Sequence, residues 1–148
     1  MSLGFNIQEK RGKVSYTQKY GNGVVYGTAT KSEVDQWDVE VGKALAFARC
    51  DALIRKMELE KARRVRKELG NLLEREQRYQ ALSAEKLYMR HIQEACEYIK
   101  ILERYYRNQK KIVQFILHLT NTAHDEFLTY QEILQYAHDI VCGQKTEE

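Results

Sequence analysis

The sequence predicts a mainly α protein: an N-terminal β-hairpin packed on a long antiparallel helical hairpin of coiled-coil character, plus a third, C-terminal helix. Three observations carry this. Strand-favouring residues (Val14, Tyr16, Thr17, Tyr20, Val24, Val25, Tyr26, Thr28) crowd into residues 1–31. From about residue 35 onward helix formers dominate, and the chain contains no proline to stop them. Between Tyr88 and Ile116 the residues Tyr88, Ile92, Ala95, Ile99, Leu102, Tyr106, Gln109, Val113 and Ile116 recur at alternating spacings of four and three, the signature of a helix that packs lengthwise on another. A chain of 148 residues suits one domain, with residues 1–31 as its hairpin region and 35–142 as its helical region.

The hairpin is read from Tyr20-Gly21-Asn22-Gly23-Val24-Val25-Tyr26-Gly27. A dinucleotide loop requires Gly-x-Gly-x-x-Gly between a strand and a helix. Here the last spacing is one residue too long, and a Val-Val-Tyr strand follows. A phosphate loop ending in Gly-Lys-Ser/Thr is absent from this stretch. Asn22-Gly23 between two strand-like runs instead signals a tight turn, because both central positions of such a turn need positive φ. Strands are expected at about 13–20 and 24–30. Gly27 marks either a bulge or a close approach to a helix.

A lone hairpin is marginal in water, so it must lean on the helix that follows. Ser32 or Asp35 is the expected cap of that helix, with Asp35 and Asp38 placing negative charge at its positive end. Trp37, Val41, Leu45 and Ala48 form its apolar stripe, which Ala44 and Phe47 widen. Gly42 is expected to admit the hairpin backbone. The helical pattern extends to about residue 80, with Gly70-Asn71 the one candidate for a kink or break, which the sequence leaves open. Between Glu58 and Glu68 the stripe thins to Leu59, Ala62 and Val65. The second helix is expected at about 84–119, capped by Ser83, and carries a second apolar face (Leu87, Ile101, Tyr105, Ile112, Phe115, Leu119) beyond what one partner helix needs. That excess predicts a three-helix core, a homodimer, or both. The third helix is expected at about 122–142, with Phe127, Tyr130, Leu134, Ala137 and Val141 on one face, followed by a loose Gln-Lys-Thr-Glu-Glu tail.

No chemistry-bearing constellation converges in the sequence. His124 and His138 share a helix face but stand about 21 Å apart along it, too far for one ion. The cysteines Cys50, Cys96 and Cys142 are widely spaced, fit neither a disulfide framework nor a zinc cluster, and read as buried reduced thiols. No Glu-x-x-His pair suits a di-metal bundle. The expectation is a protein that is not an enzyme and holds no cofactor or metal. No apolar run is long enough to cross a bilayer, and the first residues lack a signal pattern, so a cytoplasmic location with no membrane partner is expected.

The functional signal is charge. The net charge is only +3, yet residues 55–78 carry nine Lys/Arg against five Glu. Lys56, Arg63, Arg64, Arg66 and Lys67 are the candidate partner-binding residues, joined by the hairpin tyrosines Tyr16 and Tyr20, since tyrosine offers contact area plus one hydroxyl. The partner is read as an acidic protein surface; the alternative is DNA or RNA held directly by helix 55–78, with salt-dependent affinity.

Residues 20–49 carry a further pattern: Gly27 and Ala29 at the hairpin end, Asp35, Trp37 and Asp38 in a turn, then Gly42, Ala44, Ala46, Ala48 and Arg49. This resembles small uncharacterised accessory proteins of phages and prophages of Gram-positive bacteria, which usually place Phe where Trp37 stands. The resemblance implies a phage-type accessory module in the host cytoplasm. It implies an inhibitor or modulator of a host or competitor defence system, in the manner of anti-CRISPR proteins, or of another nucleoprotein machine.

Overall fold

The computed structural model of the chain describes residues 3–34, 37–78, 82–119 and 129–143. It is mainly α, as the sequence predicts, with an antiparallel sheet packed on two long helices. The elements are β1 (Gly4–Gln8), β2 (Lys13–Tyr20), β3 (Gly23–Thr30), α1 (Val39–Arg78), α2 (Leu82–Leu117) and α3 (Tyr130–Gly143). They divide into two compact units, residues 1–54 with 107–148, and Arg55–Tyr106.

In the first unit the sheet has three strands in the order β1-β2-β3 rather than the two expected. Strand β1 pairs with β2 from Gly4 opposite Thr17 to Gln8 opposite Lys13. The β2–β3 register closes with Tyr20 opposite Gly23, so Gly21 and Asn22 form the turn, one residue earlier than expected. Gly21 supplies the positive φ (59°) that the tight turn requires, and Gly23 is already a strand residue.

Gly27 pairs regularly with Tyr16, so no bulge occurs there. It is instead the point of closest approach to α1. A Cβ on Gly27 would stand 2.5 Å from the Cys50 backbone nitrogen and closer still to the Ala46 carbonyl oxygen. Gly42 serves a different neighbour from the expected one: the Trp37 indole and a Val14 methyl crowd it, not the hairpin backbone.

The stripe predicted for the first helix is the core. Val41, Ala44, Leu45, Ala46 and Ala48 are buried with Val14 and Ala29 of the sheet, Ile112, Ile116 and Leu119 of and just beyond α2, and Ile133 and Ala137 of α3. Asp38 caps α1, its Oδ1 accepting from the Val41 amide at 2.8 Å. Ser32 lies instead in a short 3₁₀ turn, Lys31–Glu33, and Asp35 is outside the described residues. Helix α2 begins at Leu82, so Ser83 falls inside its first turn rather than at its cap. Helix α3 starts at Tyr130, later than expected. Thr129 and Glu132 form its capping box, with the Thr129 hydroxyl accepting from the Glu132 amide at 3.3 Å and Glu132 Oε1 accepting from the Thr129 amide at 3.2 Å. Phe127, the expected start of that helix and the C-terminal tail lie outside the described residues.

Residues 55–106 form the second unit from α1 and α2 alone. Arg55 lies over the Tyr105 ring, Arg66 Nε donates to Cys96 Sγ at 3.0 Å, and Gln77 Nε2 donates to Glu85 Oε1 at 3.2 Å. Positions rise on α1 as they fall on α2, so the helices run antiparallel here. Their buried cluster is small: Leu59, Ile99 and Leu102, flanked by Ala62 and Tyr106. Helix α1 passes through Gly70 without a break, which settles the point the sequence left open. An interior glycine costs a helix about 1 kcal/mol but leaves the backbone hydrogen bonds intact, unlike proline.

Two glycines therefore have opposite expected effects. Gly27→Ala drives a methyl into the α1 backbone and lowers stability by about 3 kcal/mol. Gly70→Ala meets open space in a helix interior and raises it by about 1 kcal/mol. Urea unfolding followed by far-UV circular dichroism measures both.

Candidate functional site

The basic candidates all lie on α1 within the second unit. Lys56, Arg63, Arg64, Arg66 and Lys67 are exposed. Helical spacing of seven and four puts Lys56, Arg63 and Lys67 in one stripe, with Glu60 between the first two and Arg64 beside it. The face toward α2 is defined by Leu59, Ala62 and Arg66, so the stripe lies about a quarter turn round the helix from it, bordering the helix pairing at Lys56 and Arg63. Arg66 is thereby distinguished from the others: its guanidinium is engaged with Cys96. Among the described residues Lys56, Arg63, Arg64 and Lys67 make no ion pair or hydrogen bond.

The tyrosine candidates are placed differently. Successive strand residues alternate faces, and Tyr16 and Tyr20 share the face turned to α1. The Tyr16 ring stands 4.8 Å from Phe5 and 4.9 Å from Phe47, and burial pushes its phenol pKa up. Tyr20 packs on the cluster of Val25, Cys50 and Ile54. Both therefore serve the packing of sheet on helix. The hairpin tyrosine that faces outward is Tyr26, more than half exposed.

The outer sheet face is a feature the sequence reading missed. Asn6, Gln8, Ser15, Thr17, Tyr26 and Thr28 line a polar depression across all three strands. It was hidden because β1 was not foreseen; the alternation Phe5-Asn6-Ile7-Gln8, apolar then polar, is the signal that would have found it. A second depression, between α1, α2 and α3 in the first unit, brings Asp51 and His138 into one lining with Gln109 and Gln135. That lining holds no serine, cysteine, lysine or arginine. His138 is exposed and lies 3.9 Å from Asp139; His124 is outside the described residues.

The thiols are free, with Cys50 buried and Cys96 and Cys142 partly so. Cys50 donates to the Val25 carbonyl at 3.5 Å, and burial, with Asp51 nearby, pushes its pKa up, away from the thiolate that a nucleophile needs. Among the described residues no group of three or more His, Cys, Asp or Glu is placed to hold a metal ion, and no helix is long and apolar enough to cross a membrane.

The residues of the 20–49 pattern are occupied by packing. Gly27 meets α1, Ala29, Ala44, Ala46 and Ala48 are fully buried, Trp37 covers Gly42 and Asp38 caps α1. Arg49 closes the arrangement, donating 2.8 Å to the Thr28 carbonyl and making a bidentate pair with Glu33 at 2.9 and 2.7 Å. The chain matches no protein-family model, no curated protein and no solved structure.

The Arg49 guanidinium, helped by Thr30, holds the Glu33 carboxyl at a pKa of about 2, against an ordinary value of about 4.5. A carboxylate whose pKa falls on folding adds stability above its unfolded value, and that stability is lost as pH drops toward the folded one. Glu33 is about a third exposed, so solvent screening reduces the contribution to about 1 kcal/mol. Glu33→Gln is expected to lower stability by that amount at pH 7. The difference from the parent chain should shrink between pH 4.5 and pH 2, as read from denaturant midpoints across the range.

Proposed function

We propose that the chain is a non-catalytic interaction protein that presents the basic face of α1 to an acidic surface on another protein. Following the resemblance of residues 20–49, the partner belongs to a host defence or nucleic-acid-handling machine that this chain inhibits or modulates. The single observation that carries the reading is the row Lys56, Arg63, Arg64 and Lys67, exposed and without a charge partner among the described residues. Four cations left unpaired within about three helical turns give no folding benefit and repel one another, whereas they supply attraction and steering toward an acidic partner.

A protein surface fits better than a phosphate backbone because acids interrupt the row. Glu60 sits inside the stripe, and the same spacing continues to Glu74. A uniform phosphate rail would be repelled at those points; a protein surface of mixed charge pairs with them. Direct binding of DNA or RNA by residues 55–78 is the alternative.

The test is capture from a bacterial lysate on the immobilised full chain, with and without prior nuclease treatment. One stoichiometric protein is expected, retained after nuclease. The triple change Lys56→Glu/Arg63→Glu/Lys67→Glu should weaken its capture at least about tenfold, with an unchanged circular dichroism melt. Loss of capture after nuclease would move the assignment to nucleic acid, and full retention by the triple variant would remove the basic face from the function.

A further inference from the structure

The second unit is poor in buried apolar side chains and rich in exposed ones. Of the nineteen buried apolar residues among those described, Arg55–Tyr106 contributes only Leu59, Ile99 and Leu102. Of the thirteen large apolar residues that are exposed, it contributes seven. On α2 they are ordered. Tyr98, Ile101 and Tyr105 are 55%, 43% and 49% exposed and follow one another at spacings of three and four. Leu87, 51% exposed, lies two heptads before Ile101 on the same face. This seam lies beside the Ile99–Leu102–Tyr106 seam that faces α1, and touches α1 at Tyr105, over whose ring Arg55 lies while leaving it about half exposed. An apolar heptad face on a helix that already has one partner is a surface for a second.

We propose that this face binds the same face of a second copy of the chain, with the two α2 helices antiparallel. The charges that border the seam select both the occupant and the direction. With Tyr98 and Tyr105 in one seam position and Ile101 and Glu94 in the other, Glu97 and Arg104 take the same flanking position one heptad apart. Both are exposed and without a partner among the described residues. In an antiparallel pair like flanking positions face each other, so Glu97 of each copy meets Arg104 of the other. The two-fold axis makes this contact twice. Tyr98 then stacks against Ile101 of the second copy, and Glu94 meets the hydroxyl end of Tyr105. A parallel pair would set Glu94 against Glu94 inside the seam, a like-charge contact removed from water. The sequence of this one face is therefore complementary to itself reversed. It is also distinct from the basic face of α1, so dimerisation leaves Lys56, Arg63 and Lys67 exposed.

Sedimentation equilibrium of the purified full chain over a dilution series tests the proposal. A monomer–dimer equilibrium is expected. Ile101→Glu, at a surface position, should leave the circular dichroism melt of the first unit intact and shift the mass to monomer. Glu97→Arg and Arg104→Glu should each weaken dimerisation about tenfold, since symmetry counts each reversed pair twice, and the double variant should recover it. A monomer at every concentration overturns the proposal. So does a dimer indifferent to Ile101→Glu, or a double variant as weak as the single ones.

Discussion

The fold depends on how closely the β-hairpin approaches α1 between Gly42 and Cys50. That distance is set by the absence of a side chain at Gly27 and by the methyl-sized one at Ala46. With the backbones nearly in contact, Val14 and Ala29 reach the helix axis side, and Leu45 and Val41 reach the sheet. Larger residues at these positions would lift the sheet from the helix and open voids that protein interiors do not tolerate. The polar fastening at the edge follows from the same closeness. Arg49 can bridge the Thr28 carbonyl and the Glu33 carboxylate only because β3 and α1 pass within one side-chain length. Further out, Phe5, Tyr16, Phe47 and Tyr130 continue the contact as tilted and edge-on ring pairs, with Lys43 over two of those rings. Glu40 accepts from the Tyr130 amide at 2.8 Å and so places an anion at the N-terminus of α3.

The same closeness explains which parts of the fold could be read from the sequence. Helices and their stripes were legible because burial imposes a 3.6-residue period that alternating charge makes visible; Val41, Leu45 and Ala48 and the whole Tyr88–Ile116 seam follow it. Gln109, the polar member of that seam, donates to the Ala48 carbonyl at 3.3 Å, a local role that no periodicity could indicate. The turn was misplaced by one residue because Gly21, Asn22 and Gly23 are all turn formers, and only the pairing of Tyr20 with Gly23 decides among them. Strand β1 escaped notice because five residues with two weak alternations resemble a loop until β2 offers them an edge. The placement of the tyrosines was hidden for a related reason. Strand alternation shows that Tyr16 and Tyr20 share a face, but which face is buried is decided by Gly27 and Cys50 on the neighbouring elements.

The pattern in residues 20–49 has a physical content of its own. Every member within the described residues contributes to the packing of the first unit, through small size, capping or the Arg49–Glu33 bridge. A sequence pattern built this way describes a packing solution. Phe in place of Trp37 would preserve a flat ring over Gly42. The packing leaves other surfaces open.

Those surfaces concentrate in Arg55–Tyr106, and the reason is energetic. The first unit buries a layered core of sheet and three helical segments, and its cohesion does not draw on residues 55–106. The second has two helices and a three-residue buried cluster, so its side chains are free of most packing constraints. A helix pair with so little burial sits at the low end of local stability. It remains helical because α1 and α2 enter it as extensions of helices already nucleated and buried in the first unit, which removes the costly nucleation step. Unpaired cations on one face of α1 and half-exposed aromatics on one face of α2 are therefore consequences of a single arrangement. Because the second unit buries so few side chains, its surfaces can vary in charge and apolarity at little cost to its packing.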